Sequence, residues 1–420
     1  MTAPAAKRLR RTLRRWRTIA VLALLPTVSR ERLIAEARRR GACHVIEPAY
    51  TTPAPDGTGS LAVSAFVVVT VPDVLLVGPG GLPVTRDGRI IKEPVAAPRG
   101  HLYLPAVERA VAQLGLLRLL RMVWFSRWAR SRGELPSIAA GVHVITRAGP
   151  RSGGSQYAHW FLEHAAQLAA VETVRPELPA DLVHVTNADV APYQTDLFEL
   201  LGVTVERIVP HVEPVLHVGQ LIVATLRNGH STGSEYDPHT YRRVRARLTG
   251  RRPPTTERTT TGPTLVAMLR AGERKRRTLN LDAVQDVVRA QQGHLLPDAA
   301  PLVEELELLR DCRVMVGIHG AGLVKMLMAP RLTEVIELLP PVDQPPTLYA
   351  ALAAGLGIRY RRIVGTLPEG AQQHGKNADF IVPVDELAAA LEEALKGPPS
   401  PDGTPGGVSD GARASDLETA

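Results

Sequence analysis

From residue 264 to residue 396 short apolar runs alternate with longer amphipathic ones, and that alternation constrains the fold more than any other feature. Strand-like runs stand at TLVAMLR (264–270), GHLLP (293–297), RVMVGIHG (313–320), EVIELLP (334–340) and RYRRIVG (359–365). Each leads to a helix-like stretch: 282–291, APLVEELELLRDC (300–312), 322–329, TLYAALAAGLG (347–357) and VDELAAALEEALK (384–396). Strands and helices that alternate at this spacing predict a parallel sheet with helices on both faces.

A second series precedes the first. Strands are predicted at GVHVITR (141–147), LVHVT (182–186), TVERIV (204–209) and QLIVATL (220–226), with helices from Tyr157 to Val171 and over PYQTDLFELLG (192–202). Upstream, SAFVVVTVPDVLLVGPGGLPVTRDGRII (64–91) is β-branched and punctuated by Pro-Asp, Gly-Pro-Gly-Gly and Arg-Asp-Gly, which predicts short strands and hairpins, followed by a helical stretch near 105–130. The expected class is α/β, with two Rossmann-like domains and an N-terminal strand and hairpin region. At 420 residues the chain is longer than one core usually supports. The expected divisions are a basic segment (1–40), an N-terminal α/β domain (41–248), a Pro/Thr/Arg-rich linker or loop (249–263), a C-terminal α/β domain (264–396) and a disordered tail (397–420).

Charge and cysteine usage narrow the classes further. The formal charge of +8 is concentrated in KRLRRTLRRWR (7–17), ahead of IAVLALLPTV, a run too short to cross a bilayer and interrupted by Pro26. Two readings stay open: a solvated basic helix feeding a core strand, or an interfacial segment over residues 7–25 lying on an anionic membrane. Cys43 and Cys312 stand far apart and outside any metal-ligand spacing, so neither a disulfide framework nor a zinc site is indicated. A cytoplasmic protein is expected, with peripheral contact at the inner membrane face as the alternative. A nucleic-acid partner is disfavoured, because the excess charge lies mostly outside the two series and stacking aromatics are scarce.

The stretch GIHGAGLVKMLMAPRLTEVIELLP (317–340) carries the clearest chemistry. A buried strand ends at His319, and Gly320, Ala321 and Gly322 open the next helix, where small residues let backbone N–H groups approach an anion such as a diphosphate. His319, at the strand end, could donate to a phosphate oxygen or take a proton. Glu337 sits in an apolar run, where a carboxylate is expensive without partners, and the hydroxyls of a ribose are the partners expected for it.

These residues resemble the signature block of glycosyltransferase family 61, a group that includes capsular polysaccharide biosynthesis proteins. SQYAHWFLEHAAQL (155–168), YQTDLFELLGV (193–203) and LRAGERKRRTLNLD (269–282) are similar to further family segments, in the family's order over roughly residues 60–395. The resemblance implies a GT-B arrangement and an inverting transfer of sugar from a nucleotide-sugar donor to a hydroxyl acceptor, without a metal or other cofactor. It assigns the donor to the C-terminal half and the acceptor to the N-terminal half. Arg270, Arg274, Arg276 and Arg277, at or just after a strand end, would then meet phosphates, with Asn280 and Lys325 beside them.

Inversion requires a base for the acceptor's proton, and the helix YAHWFLEHAAQL is expected to supply it through Glu163 and His159, four residues apart. Tyr157 and Trp160 would form the acceptor side, Trp160 as an apolar platform for a sugar. Without the resemblance, Tyr157 and Trp160 read as core and His159 with Glu163 as an exposed pair. Three positions depart from the family pattern: Lys325 replaces Asn, Gln167 replaces Arg, and Leu281 replaces Glu after Asn280. A non-catalytic nucleotide-binding protein on the same double-Rossmann plan is the alternative function.

Overall fold

The structure is a computed structural model and describes residues 26–54, 59–93, 135–145, 160–225, 237–250, 262–269, 276–297, 300–343, 346–370 and 377–397, with isolated positions at 12, 107, 110, 114–115, 117–119, 121, 157–158 and 375. The expectations for most of residues 7–25, for most of the helical stretch near 105–130, for most of 249–263 and for the 397–420 tail beyond Gly397 lie outside the described residues, as do His159, Arg270 and Arg274. No helix among the described residues is long and apolar enough to cross a membrane.

The N-terminal elements run β1 (Thr27–Val28), α1 (Arg30–Arg39), β2 (Cys43–Glu47), β3 (Tyr50–Pro53), β4 (Ser60–Val63), β5 (Phe66–Val77), β6 (Leu82–Val84), β7 (Ile90–Ile91) and β8 (Ser137–His143). A π-helical turn (Trp160–His164) leads into α2 (Ala165–Thr173), then β9 (Val183–Asn187), α3 (Pro192–Leu200), β10 (Ile208–His211), β11 (Val215–Ala224) and α4 (Pro238–Gly250). Nine strands form one sheet in the order β1-β7-β6-β5-β11-β8-β9-β10, with β2 also paired to β5, while β3 and β4 form a separate hairpin. The parallel sheet predicted here covers β11, β8, β9 and β10; the upstream meander joins it antiparallel through β5.

Two local departures have physical reasons. Pro72-Asp73 does not end a strand, and β5 runs straight through it. Asp73 takes φ 57°, its carboxylate meets His217 Nε2 at 2.8 Å, and the facing Gly219 has no room for a Cβ, which would lie 2.7 Å from the Ala139 carbonyl. The strand predicted at 204–209 is a 3-10 turn (Val205–Arg207) followed by β10. Only residues 212–214 separate β10 from β11 although β8 and β9 lie between them in the sheet, so the sheet curls. His143 and His211 tie the curl, each donating from Nε2 to a carbonyl of the β5–β6 turn, Gly81 and Gly78 respectively, at 2.9 Å.

The C-terminal elements run β12 (Leu265–Met268), α5 (Leu281–Ala290), β13 (His294–Leu295), α6 (Leu302–Leu309), β14 (Val314–Ile318), a 3-10 segment (Ala321–Met328), β15 (Glu334–Leu339), α7 (Leu348–Leu356), β16 (Arg359–Val364) and α8 (Val384–Lys396). Every pairing is parallel, in the order β13-β12-β14-β15-β16. Counted within this unit the order is 2-1-3-4-5, so the chain reverses its direction of winding between β12 and β14 and leaves a crevice at their carboxyl ends. The helix predicted over 322–329 is 3-10 along its length; the other elements of this unit fall close to their expected positions.

α4, unread in the sequence, joins the two units. Its apolar positions Tyr241, Val244 and Leu248 are buried in one contiguous cluster with Phe161 and Leu168 on one side and Leu323 and Leu352 on the other. Polar contacts follow the same seam: Arg242 donates to Gly355 O at 3.0 Å, Arg245 to Ala329 O, and Leu302 N to Asp196 Oδ2 at 3.1 Å.

Burial strips water from two imidazoles and pushes His143 down to about 4 and His184 down to about 3, from an ordinary value of 6.5. The unfolded chain therefore binds more protons than the folded one below that ordinary value, and stability present above pH 6.5 is lost as pH falls toward 4 and then 3. Urea midpoints measured from pH 7 to pH 4 should decline steadily, and His184→Leu should remove part of the decline. An unchanged slope in that variant would exclude His184 as a contributor.

Candidate functional site

His319 follows β14 at the crevice between β12 and β14, its backbone N–H donating to Leu338 O at 2.7 Å. Parallel pairing sets Gly317 beside Glu337 and Glu337 beside Arg362, which brings together groups from three strands. Glu337 Oε1 lies 2.5 Å from His319 Nδ1, and Glu337 Oε2 accepts from the Tyr360 hydroxyl. Arg362 Nε donates to the same hydroxyl oxygen at 3.1 Å and its Nη2 to Pro346 O at 3.0 Å. Tyr349 stands edge-on to the His319 ring with centroids 5.5 Å apart.

The chemistry of this chain of groups follows from donor and acceptor capacity. An ionised carboxylate only accepts, so Nδ1 of His319 carries its hydrogen and Nε2 is the nitrogen left over. Burial and the Glu337 charge push the Tyr360 hydroxyl well above its ordinary range, so it remains a donor. The ribose contact expected of Glu337 is corrected by this geometry: the residue is 0% exposed and both its oxygens are already engaged.

Arg276 is the described arginine that reaches the same place. Its backbone adopts φ 59°, unusual for a residue with a Cβ, and Nη1 donates to the His319 carbonyl at 2.6 Å. Arg277 instead pairs at the surface with Asp379, Nη2 to Oδ2 at 2.7 Å and Nε to Oδ2 at 2.9 Å, and that pairing holds the Asp379 carboxyl below its usual range. Asn280, expected at the donor, spends both amide atoms on the Val382 backbone, at 2.8 and 2.9 Å. Gly320 is extended (φ 164°), Ala321 opens the 3-10 segment, and a Cβ on Gly322 would meet only Met268 Sδ at 3.6 Å. Space is tighter at Gly317, where a Cβ would lie 2.7 Å from Leu323 Cδ2.

Lys325 does not face open space for a phosphate. It is buried, with Nζ 2.6 Å from Glu305 Oε1 and 5.7 Å from the centroid of the Tyr157 ring. Tyr157 donates to the other Glu305 oxygen at 3.2 Å, so Tyr157 belongs to a buried link between the two units. Burial raises the Glu305 carboxyl and the Tyr157 hydroxyl above their ordinary ranges, the latter helped by the neighbouring carboxylate.

The helix expected from Tyr157 to Val171 opens its second turn as a π-helix, a form that recurs at functional sites and shifts neighbours from four to five residues apart. Glu163 is therefore not on an exposed face; it is 3% exposed within that turn. Trp160 is corrected from sugar platform to core ring: it has no exposed surface and packs on His164 and Phe198 at centroid distances of 4.8 and 5.5 Å. Gln167, a departure from the family pattern, links His164 Nδ1 at 3.1 Å to Ala224 O of β11 at 3.0 Å. Sequence reasoning missed Tyr360 and Glu305; the polar members of RYRRIVG and the inward position of Glu305 on α6 were the available signals. Among the described residues no group of three or more His, Cys, Asp or Glu is placed to hold a metal ion.

Comparison with known proteins adds the following. Residues 157–336 match the family described as Glycosyltransferase 61. No curated protein matches the chain. A structure of the bacterial iron-containing dodecameric glycosyltransferase TibC from enterotoxigenic E. coli is similar at 12% identity and a TM-score of 0.28, covering 58% of this chain; the chain spans 65% of that protein's length. A structure of the dodecameric iron-containing heptosyltransferase TibC in complex with ADP-D-beta-D-heptose is similar at 11% identity and a TM-score of 0.29, covering 62% of this chain and 76% of that one. Both likenesses are remote. The stretch that matches the family contains Glu163, Arg276, His319 and Lys325.

Proposed function

We propose that the chain is an inverting glycosyltransferase that moves a sugar from a nucleotide-sugar donor to a hydroxyl acceptor, in the synthesis of a surface or capsular polysaccharide. The observation that supports it is the meeting of Arg276 with His319 at the β12–β14 crevice of a 2-1-3-4-5 parallel sheet, within the family stretch. A guanidinium presents five N–H donors in a fork that matches the oxygens of a diphosphate, and the His319 carbonyl fixes one end of that fork at the crevice. In this reading residues 264–396 form the donor domain and 41–248 the acceptor domain of a GT-B arrangement, with 249–263 between them.

Departure of the nucleoside diphosphate needs positive charge and N–H dipoles at the phosphates, which Arg276 and the start of the 3-10 segment at Gly320–Gly322 would supply. Attack by the acceptor needs a base on the opposite face of the sugar. Glu163, on the π-helical turn, is assigned that role, and His159, four residues earlier in the sequence, would assist.

Calorimetry with UDP, GDP and ADP should identify one nucleoside diphosphate that binds, and Arg276→Ala should weaken it about tenfold or more, the weight of a charged hydrogen bond, with turnover falling alongside. Failure of all three nucleotides to bind would overturn the donor assignment. Glu163→Gln should lower transfer by roughly 10² while leaving nucleotide affinity near that of the unaltered protein. Transfer at the unaltered rate would remove Glu163 from the mechanism.

A further inference from the structure

The Tyr360–Glu337–His319 chain adds side-chain contacts to strands that are also paired through their backbones. β14, β15 and β16 are already joined by their backbone ladders, and a buried carboxylate at Glu337 costs several kcal/mol relative to an apolar residue unless its partners compensate. Its position matters because it ends on a ring at the crevice. His319 is 12% exposed at its side chain while Glu337 has no exposure, so the chain leads from the interior of the sheet to the solvent boundary. Among the described residues no partner reaches Nε2.

We infer that nucleoside diphosphate binding is coupled to proton uptake at His319 Nε2, with Glu337 and Tyr360 as positioning residues that hold the ring and its charge. The inference rests on the donor assignment above and deepens it. Nδ1 faces Glu337, and in the neutral ring Nε2 holds a lone pair, which would repel a phosphate oxygen. A proton taken from solvent onto Nε2 turns that repulsion into a charge-assisted hydrogen bond, and the imidazolium then lies between two negative groups, Glu337 and the diphosphate. No bond to carbon is made or broken in this step, and the only species consumed is one solvent proton.

The charged and titratable groups around the ring balance as follows. Glu337 of β15 favours the imidazolium. Arg276, on the His319 carbonyl, opposes it, as does Arg362 of β16 more weakly, because Tyr360 lies between Arg362 and the carboxylate. Tyr349 of α7 meets the ring in a T-shaped contact. An arriving diphosphate brings more than one negative charge against the two guanidinium groups and tips the balance toward protonation.

Proton uptake is measured directly by titrating the full chain with the nucleoside diphosphate that binds, at pH 7.5–8, in buffers of different ionisation enthalpy. The unaltered protein should take up a measurable fraction of a proton per nucleotide, and its affinity should fall as pH rises above 7. His319→Gln should abolish the uptake and the pH dependence together. Glu337→Gln, isosteric with the carboxylate, should reduce both and weaken inorganic diphosphate as much as the nucleotide, because the ring acts on phosphate and not on ribose. Tyr360→Phe keeps the ring in place and should give an intermediate uptake, which preserves the test if Glu337→Gln does not fold. Nucleotide binding with equal proton uptake in the unaltered protein, His319→Gln and Tyr360→Phe would overturn the inference while leaving the donor assignment intact. Absence of any nucleotide binding would overturn both.

Discussion

A carboxylate with no exposed surface, set in the middle of a strand whose other members are buried, is the constraint around which the C-terminal unit is organised. Glu337 is tolerable there only because a histidine from the preceding strand end and a tyrosine from the following strand reach its two oxygens. Removing one partner of a buried charge typically costs about 3–5 kcal/mol, so register among β14, β15 and β16 is enforced by more than the ladder. A slip of one residue would turn Tyr360 to the other face and leave the carboxylate unpaired. The same requirement fixes the orientation of His319, and Arg276 ties the backbone of that residue from the far side of the crevice. Site geometry and strand register are thus one problem with one solution.

Much of the C-terminal unit was legible in the sequence because its strands are short, apolar and separated by amphipathic helices, so period and punctuation agree. Position 337 was legible as an anomaly, but its partners were not. His319 and Tyr360 lie 18 and 23 residues away and meet it only through register, which a linear pattern does not display. A ribose was therefore expected where protein groups already stand. Lys325 was misread for the same reason, since Glu305 lies 20 residues upstream on a different helix. Glu163 was paired with His159 on one helical face by assuming 3.6 residues per turn, and the π-helical turn over Trp160–His164 departs from that period. α4 escaped notice because arginines crowd its sequence, although Tyr241, Val244 and Leu248 mark a buried stripe at spacings of three and four.

The shared apolar cluster along α4 limits how such a molecule can open. Two lobes joined only by a flexible connection can swing apart as rigid bodies, exposing little that was dry. Here the side chains of Tyr241, Val244 and Leu248 lie in the same interior as Leu323 and Leu352, so a swing would bring apolar area into water at about 25 cal/mol for each Å². Sliding of packed helices past one another, by small displacements that keep their side chains in contact, avoids that cost. The two sheets then behave as a single frame behind the crevice beside His319.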